Sequence, residues 1–108
     1  MEKSDGYCLV ISTIDNFDLA LEISNKLIEE HLAVCCNIIP NITSIYIWNE
    51  KIENSKEYII LIKSKYSKLI KLENRLKELH NYEVPEILVL NIESMNKNYL
   101  NWFNKNLI

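Results

Sequence analysis

Residue types able to do chemistry gather in three short stretches of the 108-residue chain. The first runs His80-Asn81-Tyr82-Glu83-Val84-Pro85-Glu86. Imidazole nitrogen and carboxylate oxygen together suit a divalent cation. His80, Tyr82 and Glu83 could equally form an acid–base set in a cleft between subunits. The simpler role for His80 is structural, since a protonated histidine at a helix C-terminus is favoured by the helix dipole. The second stretch is Cys35-Cys36, whose thiolates suit a soft ion such as Cu(I). Neighbouring residues on a strand point to opposite faces, so the pair cannot hold one ion from one subunit. Buried free cysteines otherwise behave as small hydrophobes. The third set is aromatic: Tyr46, Trp48 and Tyr58. A base-stacking sheet needs a glycine- and aromatic-bearing strand, and Glu57 to Lys63 has no glycine or aromatic pair of that kind. Aromatic interface anchors fit better. His31, beside two glutamates, reads as a solvated side chain.

The elements that must position these residues follow from periodicity. Residues 7–13 (YCLVIST) form a β-rich apolar run, a buried strand. Asp15 or Asn16 then offers an N-cap, and Phe17, Ala20, Ile23, Leu27 and Ile28 recur at helical spacing as far as Leu32. Residues 33–48 are too long for an average strand, and Pro40 belongs at an edge or bulge, so a long strand bent at Pro40-Asn41 is expected. Trp48-Asn49-Glu50-Lys51 reads as a tight hairpin turn with Asn49 at positive φ. Residues 51–64 return, and Glu53 to Lys56 lie beyond the core. A second helix over 66–80 carries Leu69, Leu72, Leu76 and Leu79 on one stripe, with Asn81 in the left-handed position after it. Residues 87–93 form a last buried strand and Asn98 to Leu107 a terminal helix.

The order β-α-β-β-α-β-α is an α+β fold: a ferredoxin-like βαββαβ sandwich with an extended hairpin between its second and third strands and a short C-terminal helix. Both long helices cover one sheet face. The other face is apolar and implies a partner. The hairpin tip, with Tyr46 and Trp48, projects beyond any core of this size and marks a subunit interface.

Composition narrows the function. One glycine leaves no glycine-rich phosphate loop, and one arginine, Arg75, disfavours bidentate phosphate clamps. A net charge of −3 argues against nucleic acid as partner. No apolar run is long enough for a membrane span. An odd cysteine count without CxxC, and a polar start from Met1 to Gly6, point to a reducing compartment, the cytoplasm, unless a targeting segment has been removed. One domain spanning 1–108 is expected, with residues 1–5 unordered.

Four motifs carry a family resemblance. They are Val34-Cys35-Cys36-Asn37-Ile38-Ile39-Pro40; Ser44-x-Tyr46-x-Trp48-x-x-Lys51; His80-x-Tyr82-Glu83-Val84-Pro85-Glu86-Ile87; and Tyr99-Leu100-x-Trp102. In this order and spacing the chain resembles the CutA (divalent-cation tolerance) proteins from about Tyr7 to Trp102. The resemblance implies a PII-like fold assembled as a tight homotrimer, with each long hairpin reaching its neighbours. It implies a part in tolerance of copper or another divalent cation, without catalysis and with no required cofactor. An animal branch is linked to acetylcholinesterase processing, so an unknown protein partner is a further expectation, as is a plain scaffold role. Cys35 stands at the family's cysteine position and is the better thiolate candidate. Copper ligands proposed in bacterial members fall on Ser12, Leu79 and His80, of which His80 alone keeps a ligating type. With Glu83, which stands near His80 in sequence and offers a hard oxygen, the weak metal set is His80, Cys35 and Glu83. Glu50 stands where the family's turn has glycine, and Asn81 where it has proline. Related chemistries fail on residue type. The loop Thr13 to Asn16 lacks the arginine an acylphosphatase needs, and the chain lacks the CxxC of a ferredoxin-like copper chaperone.

Overall fold

Strict alternation along Tyr7–Ile14 decides how the sheet divides. Cys8, Val10, Ser12 and Ile14 are buried on one face, while Leu9, Ile11 and Thr13 are only half-buried on the other. The computed structural model describes Glu2–Lys3 and residues 6–108. Its elements are β1 (Glu2–Lys3), β2 (Tyr7–Ile14), α1 (Phe17–Glu29), β3 (Cys35–Trp48), β4 (Lys51–Lys65), α2 (Leu69–Leu79), β5 (Leu88–Asn91), β6 (Ser94–Met95) and α3 (Lys97–Asn106). The main sheet is antiparallel in the order β3-β4-β2-β5, the split βαββαβ arrangement expected from the pattern. Glu2–Lys3 pair with Ser94–Met95 in a small second sheet; of the segment 1–5, Met1, Ser4 and Asp5 lie outside the described residues.

Both long helices cover the same face. Val10, Ile14, Ile60 and Ile62 meet Ala20, Ile23 and Leu27 of α1 and Leu72 and Leu76 of α2, all fully buried. Each large aliphatic removed from water contributes about 2 kcal/mol. Asn16 caps α1 through its side chain, accepting from the Leu19 amide at 2.9 Å. α1 stops at Glu29, short of Leu32, because His31 takes a left-handed φ of 58° that ends the helical ladder. After α2 the corresponding left-handed residue is missing. His80 is extended (φ −73°, ψ 146°), and Asn81 does not take positive φ, because the chain leaves α2 straight onto the end of β2. The N-terminal part of the expected second helix is a 3-10 turn, Tyr66–Lys68, leading into α2.

The last strand is shorter than the apolar run suggested and lies exposed. β5 is an edge strand, and Leu88, Val89 and Leu90 are 40–53% exposed. On the open face, ladder partners bring Leu9 beside Leu90, Ile11 beside Leu88 and Leu61, and Ile59 beside Thr13 and Ile39. α3 closes only one end of this face. Phe103 and Leu107 are fully buried with Met95, and Tyr7 meets Phe103 edge-on at 5.1 Å between ring centroids.

The long hairpin breaks where Pro40 and Asn41 fall. Ile39 pairs with Ile59 but Ile42 with Glu57, so β3 carries one extra residue, and Asn41 has φ 62°. The bulge shifts the alternation. Cys36 and Ile38 face the helices, yet beyond the bulge the even-numbered Ser44, Tyr46 and Trp48 lie on the opposite, open face. The turn holds Asn49 at φ 51° and Glu50 at φ 66°, two successive left-handed residues as a two-residue hairpin requires. Asparagine tolerates this conformation; glutamate is strained in it. Glu50→Gly is expected to stabilise the protein by about 1 kcal/mol, read as a higher urea midpoint at unchanged slope.

Candidate functional site

The bulge aims one edge of the hairpin arm across the open face, and the loop after α2 rises to meet it. Between them lies a cleft of about 720 Å³. Ser44, Ile45, Tyr46 and Trp48 line it from the arm, Thr13 and Glu57 from the sheet, and Asn81 to Glu86 from the loop.

The loop is anchored through His80. The Tyr82 amide donates to His80 Nδ1 at 3.0 Å, which makes Nδ1 the acceptor. Nε2 therefore carries the proton and donates to the Thr13 carbonyl at 2.8 Å. The ring is 8% exposed and packs on Tyr82 with centroids 4.6 Å apart. Asn81 ties the same loop to Asp15 at 3.2 Å. So anchored, Tyr82 reaches Glu57, donating its phenolic proton to Oε2 at 2.6 Å. Burial first, and then the neighbouring Glu57, push the Tyr82 pKa well above the usual phenol range. The phenol stays protonated and the carboxyl accepts.

Glu57 is the residue sequence reasoning missed. It is 5% exposed, although it opens the run that leads into the apolar strand Tyr58 to Ile62. The available signal was its parity. It shares a face with Ile59 and Leu61, so a charged residue there interrupts an apolar alternation.

The metal candidates are only partly brought together. His80 and Glu83 belong to the same loop, but both ring nitrogens of His80 are engaged, and a metal bond would cost one of these hydrogen bonds. Cys35 starts β3 opposite Lys63, whereas His80 holds Thr13, opposite Ile59. Four strand positions, about 13 Å, separate the two levels. Among the described residues no group of three or more His, Cys, Asp or Glu side chains is gathered as a metal site. The residues present in one protomer therefore do not fit a closed metal centre. Tyr46 and Trp48, expected at an interface, are 42% and 45% exposed.

All three thiols are free. Burial pushes Cys8 up to about 11 and Cys36 up to about 12. The thiolate is the nucleophile, so both remain protonated and slow at pH 8. Ellman's reagent at that pH is expected to titrate Cys35 alone in native protein and all three cysteines in guanidinium; rapid native labelling of Cys36 would contradict the buried placement.

No helix among the described residues is long and apolar enough to cross a membrane. Comparison with known proteins matches residues 8–106 to the family described as CutA1 divalent ion tolerance protein. A Thermus thermophilus protein named divalent-cation tolerance protein CutA is 40% identical over 98 residues, covering 91% of this chain and 95% of that one. Human protein CutA is 41% identical over 90 residues, covering 83% of this chain but 50% of its own length. Among solved structures, the Thermus thermophilus tolerance protein superposes with a TM-score of 0.89 at 39% identity, over 93% of this chain and 97% of that one. CutA from Xylella fastidiosa gives 0.92 at 32% identity, over 96% and 100%. The open sheet face, the long bulged hairpin and the His80–Glu86 loop are therefore set in a shared frame, and the chain belongs to the CutA1 divalent ion tolerance family.

Proposed function

We propose that the chain acts as a homotrimeric, non-catalytic sensor or adaptor in the response to divalent cations, copper among them, with the arm cleft as its ligand-responsive site. The observation that carries this reading is the continuity of the open apolar face with the cleft. Leu9, Ile11, Ile59 and Leu61 run up to Glu57, and Trp48 overhangs the end of that surface. An unpartnered sheet face of this kind needs a cover, and β3 is an unpaired edge. A cyclic assembly answers both needs, because each arm can augment the next subunit's sheet and the ring leaves no free edge. A ligand entering the cleft would then bear on the interface. The family description and the names of the bacterial relatives supply the cation class. Direct metal contact through His80, Glu83 or Cys35 is weak in this reading, since His80 must give up a hydrogen bond to ligate. The free thiols support a reducing compartment such as the cytoplasm.

The test is copper titration of the purified protein with elemental analysis, the mass followed by light scattering, and His80→Ala as control. The expected result is a trimer mass, weak copper binding and a partial loss of it in His80→Ala. A monomer at micromolar concentration would overturn the assembly. Tight stoichiometric copper unaffected by His80→Ala would overturn the siting.

A further inference from the structure

The floor of the cleft holds a buried acid without a counter-charge. Glu57 is 5% exposed, and its hydrogen bond among the described residues is to the neutral phenol of Tyr82. Among those residues no lysine, arginine or histidine stands within ion-pairing distance of it. A carboxylate withdrawn from water is costly unless a cation meets it. The surroundings select the kind of cation. Tyr46, Trp48 and Tyr82 line the same cleft, and Glu83 and Glu86 add negative charge to its wall. Aromatic rings attract ammonium groups, most strongly where water is excluded, and carboxylates repel anions. A bare metal ion is a poor fit, because it needs several convergent ligands and the rings supply none.

We propose that the cleft binds a small organic cation, an alkylammonium group seated on the Glu57 carboxylate beside the Tyr82 and Tyr46 rings. The ammonium would donate to Glu57, and the alkyl part would lie along the arm's aromatic side chains. This rests on the ligand-responsive cleft proposed above and names the ligand class it takes.

Calorimetry with n-butylammonium chloride as probe, against n-butanol and sodium chloride, tests it on the full chain. The expected result is saturable binding of n-butylammonium alone. Glu57→Gln, which keeps an acceptor for Tyr82, is expected to weaken it at least about tenfold, the scale of one charged hydrogen bond. Tyr46→Leu is expected to weaken it about fivefold and serves if Glu57→Gln does not fold. Light scattering on the same samples separates the two readings, because loss of binding with the trimer mass retained concerns the site alone. Equal heats from n-butanol, or unchanged affinity in Glu57→Gln, would overturn the proposal. So would a silent wild type whose assembly fails in Glu57→Gln, since a neighbour's lysine would then be the cation on Glu57.

Discussion

Leu61→Glu is expected to give a monomer at micromolar concentration, where the parent chain is expected to give a trimer. Leu61 lies on the central strand β4, flanked by Ile11 on one side and Asn37 on the other, on the face the helices leave open. In the proposed assembly this position is covered by a neighbouring subunit. A carboxylate buried there without a partner costs several kcal/mol, and every subunit of the ring would bear that cost. In the isolated protomer the same side chain keeps contact with water, so folding survives while association fails. Trp48→Ala is the milder companion. It removes on the order of a few kcal/mol of interface burial and should lower thermal stability in a concentration-dependent way. Sedimentation or light scattering checks both; a Leu61→Glu trimer of unchanged stability would remove the open face from the interface.

The second large effect lies at the other end of that face. Phe103→Ala is expected to cost about 4 kcal/mol, read from urea unfolding. Phe103 is fully buried with Met95 and Leu107, and Tyr7 packs against its ring and hydrogen-bonds Asn104. α3 is held chiefly by this cluster and by Lys65 donating to the Leu107 carbonyl at 2.7 Å. The cavity left by the ring would detach the helix and bare Tyr7 and Val34. A loss below about 1 kcal/mol would mean that α3 is held by something other than Phe103.

The helices and the hairpin were legible because their causes are local. Leucine spacing in 69–79 and the Asn16 cap are properties of a few neighbouring residues. Pro40-Asn41 announced the break in β3, and Trp48-Asn49-Glu50-Lys51 announced the turn. The face on which Trp48 falls was not legible. Alternation carried on from Cys36 and Ile38 would have set it beneath the helices, and only the extra residue at the bulge sends it to the open side. The cleft was half legible. His80, Tyr82 and Glu83 stood out by type, but burial of Glu57 depends on a loop 25 residues away, and no period records that contact. Asn81 looked like a left-handed stop because of its type; the tether from His80 to Thr13 draws the chain out extended instead.

The position of β2 also governs the order in which the chain can fold. β3 and β4 meet through a two-residue turn, so the arm closes over short separations, and hairpins of this kind form within microseconds. β2 is the first strand of the main sheet in sequence yet sits between β4 and β5, with Val10 joined to both Ile62 and Val89. That strand must wait for both partners, and loop closure over such separations is slow. During synthesis β2 is already made when the hairpin emerges, so the edge left waiting is the one β2 offers to β5, the strand of this sheet made last. A nascent chain at that stage presents the long, apolar β2 as an open edge, and needs the later β5 to cover it before another molecule does.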